Sequence, residues 1–333
     1  MGDRKKEHID LVFKSQTGVT LRDNRFIYEP AITAHPSGKP KPFIFLGKTL
    51  QVPIWVSSMT GGTRLAKTIN ENIARTCRDF GMGMGLGSCR SLLDDDTSLG
   101  DFDVRKYIGD NLPLMANLGI AQVEKLIATK QAEKINILID KLNADGLIIH
   151  INPLQEWFQP EGNTIKHPPV ETIKKTLELF SFPVVVKEVG QGMGPESIKQ
   201  LLQLPIKALE FGAYGGTNFS LTELIRNKGQ DIDVFSPFTL IGHTAEEMLN
   251  IINSYVENTS LKCNELIISG GIHNFLDGFY LMKKSKLPSI YGQASEILRY
   301  AMKGYEELHN YIEKQVKGLL LAGKYLKINP ERL

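Results

Sequence analysis

Within seven residues, His150-Ile151-Asn152-Pro153-Leu154-Gln155-Glu156 offers an imidazole, two side-chain amides and a carboxylate. The apolar run before it, Gly146-Leu147-Ile148-Ile149, is short enough to be a strand buried on both faces. Pro153 has no N–H for a sheet ladder and pushes Asn152 toward extended geometry, so the strand should end there. In a parallel α/β sheet, ligands sit at the C-terminal ends of strands. At such a place His150, Asn152 and Gln155 can bind a polar ligand, and Glu156 can hold a hard cation.

Glycine-rich turns follow several other apolar runs. They are Ser58-Met59-Thr60-Gly61-Gly62, Gly87-Ser88-Cys89-Arg90, Gly215-Gly216-Thr217-Asn218, Ser269-Gly270-Gly271 and Gly292-Gln293-Ala294. Bare backbone lets N–H groups approach a phosphate, and barrels commonly place a phosphate site after their last two strands. Together these turns point to a large phosphorylated cofactor, although any one of them alone is only a turn. Lys187 ends an apolar run. A lysine is rarely left unpaired in a core, so it either pairs with Glu188 or Glu210 or aims a cation at an electron-rich ring. Arg4-Lys5-Lys6-Glu7-His8 is a basic terminal cluster. Alone it reads as solvated charge, but with Arg90 it could clamp a diphosphate, for which guanidinium forks are suited. Met82 and Met84 read as core, Trp55 as a strand residue and Cys77 as a buried helix residue, while His243 and His273 stay undecided between surface and phosphate contact.

These residues need a scaffold with many strand ends on one face. Eight runs qualify as strands: Pro53–Ser57, Met82–Leu86, Leu112–Ala116, Gly146–Ile151, Pro183–Lys187, Ala208–Phe211, Leu266–Ser269 and Pro288–Tyr291. Amphipathic segments alternate with them at Leu65–Phe80, Ile120–Leu142, Pro169–Phe180, Gly194–Leu202, Thr244–Glu257 and Phe275–Lys284. Eight strands alternating with helices over ~250 residues match an α/β fold of the (β/α)8 TIM-barrel type. A doubly wound open sheet fits less well, because small and polar residues close almost every strand. One domain is expected over 1–333: an N-terminal extension at 1–50, the barrel at 51–300 and a C-terminal helix at 301–333, centred on Tyr305–Leu326.

The 333 residues are 42% hydrophobic and 23% charged with a net charge of +2, which suits a globular protein with a full core and gives no global field for nucleic acid. Three cysteines without a CxxC pair argue against a disulfide framework or structural zinc. No run approaches the ~18 apolar residues of a membrane span. The charged Met1–His8 lacks the apolar core of a signal peptide, so the expected location is the cytoplasm.

With these pieces placed, the chain resembles the type 2, flavin-dependent isopentenyl-diphosphate isomerases over nearly its whole length. The resemblance rests on Arg4–Ile9, Ser58–Gly62, Gly87–Arg90, Ala116-Asn117-Leu118-Gly119, Val186–Gly190, Gly215–Asn218 and Ser269–Ile272. Its most specific part is His150-Ile151-Asn152-Pro153-Leu154-Gln155-Glu156. It implies that Ser58, Met59, Thr60, Ser88, Asn117, Lys187 and Thr217 contact FMN, with Gly270, Gly271, Gln293 and Ala294 around its phosphate. Arg4, Lys5, His8, Ser88, Arg90, His150, Asn152 and Gln155 are implied for the substrate, and Glu156 for Mg2+. Gln155, Lys187 and His150 are the candidate catalytic groups. The resemblance also implies a homo-oligomer, tetramer or octamer, with NADPH as the reductant. Two departures stand out: Cys89 where the family usually has Gln, and His273 where it usually has Arg. Residues 286–294 match loosely.

The implied activity moves a double bond in a homoallylic diphosphate, a step of isoprenoid biosynthesis. An unactivated alkene has no acidifying carbonyl, so the expected chemistry is acid–base catalysis by a reduced flavin with no net redox change. Gln155 cannot ionise and should position or relay a proton. The rival reading is an FMN-dependent 2-hydroxy-acid oxidase or dehydrogenase, which needs a His base and an arginine clamp. His273 could be that base, but no arginine follows it in the turn. A non-catalytic phosphate-binding barrel is the third reading, and the Gln155-Glu156 pair at a strand mouth speaks against it.

Overall fold

The computed structural model describes residues 2–58, 64–227 and 231–332. Ahead of the barrel come three short strands, β1 (Phe26–Tyr28), β2 (Phe43–Phe45) and β3 (Lys48–Leu50). Leu46 and Gly47, both at positive φ, turn β2 into β3 as an antiparallel hairpin, as a two-residue turn matched to strand twist requires. The Leu46 N–H donates to Glu265, while Lys48 reaches Asp145 and the carbonyls of Asp110 and Leu112. Those partners immediately precede three barrel strands, so the hairpin lies across the N-terminal end of the barrel and buries Phe45 and Leu50 there.

The barrel strands are β4 (Ile54–Val56), β5 (Gly83–Gly85), β6 (Leu114–Gly119), β7 (Gly146–Ile151), β8 (Val184–Glu188), β9 (Ala208–Glu210), β10 (Leu266–Ser269) and β11 (Ser289–Gln293). All pair in parallel, and β11 closes on β4. Each lies at an expected run, because Val, Ile and Leu buried on both faces leave little alternative to a central strand. The Gly-Met-Gly of β5 has a steric cause. A Cβ on Gly83 would come within 2.5 Å of the Trp55 ring, and one on Gly85 within 2.5 Å of Ile148 and Ser58. Trp55 fills the space that side chains of β5 would otherwise occupy.

Helices cover the outside at Arg64–Phe80, Pro169–Leu179, Pro195–Leu202, Ala245–Asn258 and Phe275–Lys284, close to the expected segments. The long amphipathic run expected over Ile120–Leu142 is two helices, Ile120–Ala128 and Glu133–Leu142, with Lys130 in the left-handed region between them. Ile127 and Ile135 are in phase across the break, so apolar spacing gives no sign of it. The extension, which shows little periodicity in sequence, contains a helix at Gly2–Val12 whose described side chains are exposed. Tyr305–Tyr325 is the expected C-terminal helix; it leads into β12 (Leu326–Ile328), which pairs antiparallel with β1. Among the described residues no helix is long and apolar enough to cross a membrane.

Candidate functional site

Strand register brings the chemistry together. Gly119 of β6 pairs with His150 of β7, His150 with Lys187 of β8, and Lys187 with Glu210 of β9. Beside this row lies a cavity of about 80 Å³ at the C-terminal ends of the strands. Ser57, Ser58, Lys187, Glu210, Thr217, Ser269, Gly270, Gly271, His273, Gln293 and Ala294 all line it. Its floor is bare backbone from two facing turns. Gly270 sits at φ +89, and a Cβ there would lie 2.2 Å from the Ala213 carbonyl; a Cβ on Gly216 would meet Gly271 N at 3.2 Å. Side chains would fill this cradle, and glycine keeps it open for a ligand. The Ser58 hydroxyl is buried with no partner among the described residues. The Gln293 side chain is already engaged, donating to the Ile272 carbonyl and accepting from Tyr311.

Lys187 pairs directly with neither of the carboxylates expected for it. Its ammonium donates to the backbone carbonyl of Glu188 at 2.8 Å. The Glu188 carboxylate instead accepts the N–H groups of Gly190, Gln191 and Gly192 at 2.6–2.9 Å, which ties down the loop after β8. Burial still holds Glu188 above the usual carboxylate range, against the pull of those three donors. Glu210 is fully buried and is likewise raised by burial, with the Lys187 charge opposing.

At the mouth of β7, Pro153 ends the strand as expected and also opens a short helix, Pro153–Phe158. Asn117 fixes His150. The Asn117 amide N–H donates to the Leu86 carbonyl at 3.0 Å, which turns its oxygen toward His150 Nδ1 at 2.8 Å. The ring therefore donates through Nδ1 and leaves Nε2 as an acceptor, an assignment made from the hydrogen-bond network. Burial and the Lys187 charge pull the His150 pKa down to about 3, so the ring is neutral. Asn152 donates to Gln155 at 3.1 Å, and Gln155 donates to Glu223 at 3.3 Å. Glu223 is buried and is held by Arg226. Glu156 is folded inward: it accepts the Asn163 N–H at 2.6 Å and has the amides of Gln122 and Asn152 at 3.4 Å.

The expected residues thus fall into groups. Ser58, Lys187, Thr217, Gly270, Gly271, Gln293 and Ala294 share the cavity, while Asn117, His150, Asn152, Gln155 and Glu156 form the adjoining corner. Ser88 and Arg90 are exposed on the turn after β5. Cys89 between them is core, its thiol pushed up to about 12 by burial. His273 is exposed and lines the cavity. Arg4, Lys5 and His8 are exposed on the Gly2–Val12 helix, and among the described residues no hydrogen bond or ion pair joins them to the corner. Met59 and Thr60 lie outside the described residues. No group of three His, Cys, Asp or Glu residues able to hold a metal is found among the described residues. Glu156 with the unpartnered Asn152 Oδ1 supplies hard oxygen donors of the type Mg2+ takes, but an incomplete shell. Glu223 was not foreseen, because its role depends on a helix, Phe219–Arg226, that meets Gln155 only in the folded chain.

The fold and the site define a (β/α)8 barrel with a glycine-walled cavity and a buried ammonium at its C-terminal end. Among solved structures the chain is similar to a flavocytochrome b2 variant with sulfite bound (TM-score 0.60, 15% identity, 90% of this chain and 72% of that one). It is also similar to a mandelate oxidase variant with (S)-mandelic acid (TM-score 0.58, 14% identity, 92% and 87%). At that identity these share its fold. No family model matches the sequence. Isopentenyl-diphosphate delta-isomerase of Rickettsia typhi is 33% identical over 304 residues, 90% of this chain and 86% of that one. The Rickettsia peacockii protein of the same name is 32% identical over 331 residues, covering 96% and 93%. The chain belongs to the isopentenyl-diphosphate delta-isomerase family, and its barrel is consistent with the type 2 branch that its motifs resemble.

Proposed function

We propose that this isomerase interconverts isopentenyl and dimethylallyl diphosphate with reduced FMN in the glycine-walled cavity, Mg2+ at Glu156 and NADPH as reductant. The observation that carries the reading is Lys187, a buried ammonium at the wall of that cavity and beside a neutral imidazole. The open cradle at Gly216 and Gly270 and the unpartnered Ser58 hydroxyl fit a phosphorylated ring cofactor. A bound reduced flavin would supply electron density for the developing positive charge and a transferable proton, which an unactivated alkene without an acidifying carbonyl needs.

The chain's own groups bind and orient. The Lys187 charge favours an anionic edge on whatever fills the cavity. Asn152 and Gln155, tied in line to Glu223, present fixed amides, and Gln155 positions because it cannot ionise. Asn152 Oδ1 and Glu156 would hold a Mg2+ ion, which would supply positive charge for the diphosphate. Arg90, with Arg4, Lys5 and His8, offers charge for the diphosphate tail, far from the reacting carbons. Neutral His150 offers only an acceptor at Nε2, so it suits an O–H or N–H of substrate or cofactor better than a bare phosphate oxygen. The chain is further proposed to work as one catalytic domain in a cytoplasmic homo-oligomer, tetramer or octamer.

Incubation with isopentenyl diphosphate, FMN, Mg2+ and NADPH, following the allylic product, tests the reading. Product is expected only when the flavin is reduced. Steady turnover by the oxidised enzyme would refute the reduced-flavin route, and flavin reduction by a 2-hydroxy acid would favour the oxidase reading.

A further inference from the structure

At the wall of the cavity lies a polar cluster that the proposed reaction does not use. Trp55 Nε1, Ser57 Oγ and Glu210 Oε2 are all buried and have no hydrogen-bond partner among the described residues. They belong to one place: the Trp55 indole and the Ser57 and Ser269 hydroxyls all act on the Glu210 carboxyl, and Ser57 and Glu210 line the same cavity wall. Ser269 reaches only the other carboxyl oxygen, Oε1, at 3.3 Å. A buried polar atom without a partner is costly, so three gathered in one place call for a ligand.

Lys187 has the complementary deficit. One ammonium proton goes to the Glu188 carbonyl, and two remain. Glu210 is its register partner on the next strand and acts on it as a charge, yet no direct ion pair joins them among the described residues. Polar groups facing each other beyond hydrogen-bond reach are the usual setting for a bridging water. Such a water needs two to four polar partners, and Trp55, Ser57, Glu210 and Lys187 offer four. Trp55 and Lys187 can each donate to the water oxygen, and its two O–H groups can go to Glu210 Oε2 and Ser57 Oγ, the Ser57 O–H turning toward the Glu210 carboxyl on which it acts.

We propose that Glu210, Ser57 and Trp55 hold an internal water that accepts a hydrogen bond from Lys187, which makes Glu210 the positioning residue that directs the last ammonium proton into the cavity. The carboxylate also compensates the Lys187 charge. Among the described residues no other charged group acts on Glu210, while His150 faces Lys187 from β7 as a neutral ring. The proposal rests on the functional reading only for what Lys187 meets in the cavity.

Two measurements on the full-length protein test it without reference to turnover. A high-resolution crystal structure is expected to show a water within hydrogen-bond distance of Lys187 Nζ, Glu210 Oε2, Ser57 Oγ and Trp55 Nε1; a dry chamber or a direct Lys187–Glu210 pair overturns the proposal. A second crystal structure, of flavin-free Glu210→Leu, is expected to lack the water and to show the Lys187 ammonium turned away from that place, with Glu210→Asp keeping the water; an unmoved water and ammonium overturn the proposal. If Glu210→Leu does not fold, Ser57→Ala should lose or displace the water; an unchanged water there overturns the proposal. Absence of isomerase activity with both results intact would count against the proposed function alone.

Discussion

His150 enters the site as a neutral ring because three features act together: burial, the Lys187 charge and an Asn117 oxygen fixed by the Leu86 carbonyl. The sign of its pH effect follows. The unfolded chain protonates this histidine near pH 6.5 and the folded chain does not until about pH 3, so the contribution is complete above 6.5 and is lost as pH falls below it. The limit is about 1.4 kcal/mol per pH unit, and partial exposure at the mouth keeps the real slope below that. Glu188 and Glu210 act in the opposite direction. Their raised values make the fold bind protons that the unfolded chain has released, so their contribution falls as pH rises above the ordinary carboxylate range. A comparison isolates the histidine: urea unfolding of His150→Gln against wild type should show the variant losing less stability between pH 6.5 and 4.5. Equal losses would mean that His150 is protonated in the fold. At Glu156 a different prediction applies. Glu156→Gln keeps the reach to Asn163 but removes the charge that attracts Mg2+. Activity should fall at least about tenfold at limiting Mg2+ and recover in part at high Mg2+, whereas full activity at limiting Mg2+ would remove Glu156 from metal binding.

Two glycine turns from adjacent strands make the floor of the cavity, and they should respond differently to a side chain. Gly270→Ala forces a positive φ on alanine and drives its Cβ onto the Ala213 carbonyl, so a stability loss of about 2 kcal/mol or more is expected by denaturant titration. Gly216 has ordinary φ and meets only Gly271 N, so Gly216→Val should leave stability within about 1 kcal/mol. By filling the cradle it should weaken FMN binding about tenfold or more, as read by fluorescence titration; wild-type affinity would move the cofactor elsewhere. These elements were legible from sequence to different depths. The strands of the barrel could be read from runs such as Leu147–Ile149 and Val184–Val186, because burial on both faces leaves a continuous apolar record. The cradle was legible because glycine is required where backbones nearly touch. The break at Lys130 was hidden, since residues on either side keep helical phase, and the Gly2–Val12 helix has no buried face to set its spacing. Glu223 and the tie from Asn117 to His150 were invisible for another reason: each meaning comes from a partner on a different strand or helix, and one sequence records no such pairing.

At the scale of the whole molecule the question is what covers the apolar surface that the barrel leaves outside. The Pro153–Phe158 and Ile232–Thr239 helices pack through Phe158, Phe235 and Phe238, and the Phe219–Arg226 helix lies against both. On their outer sides and just beyond, Trp157 is 77% exposed, with Val234, Leu240 and Ile241 also exposed. Monomeric proteins seldom leave so many large apolar side chains together in water, and homo-oligomers cover them at symmetric interfaces. Trp157 follows Gln155 and Glu156 on the same short helix, so an interface there would also brace the corner that holds the candidate cation site. If the chain assembles through this face, light scattering should give a multiple of 37.2 kDa. Trp157→Glu should then shift the distribution toward the single-chain mass, because a charge in the centre of an apolar contact is not compensated. A truly exposed tryptophan would tolerate the change, surface substitutions costing within ±0.5 kcal/mol or so. In an assembling protein the same substitution should raise the Mg2+ concentration needed for half activity, since Glu156 loses the support of its helix. A variant that assembles like wild type and needs no more Mg2+ would place the interface elsewhere and leave the corner self-supporting.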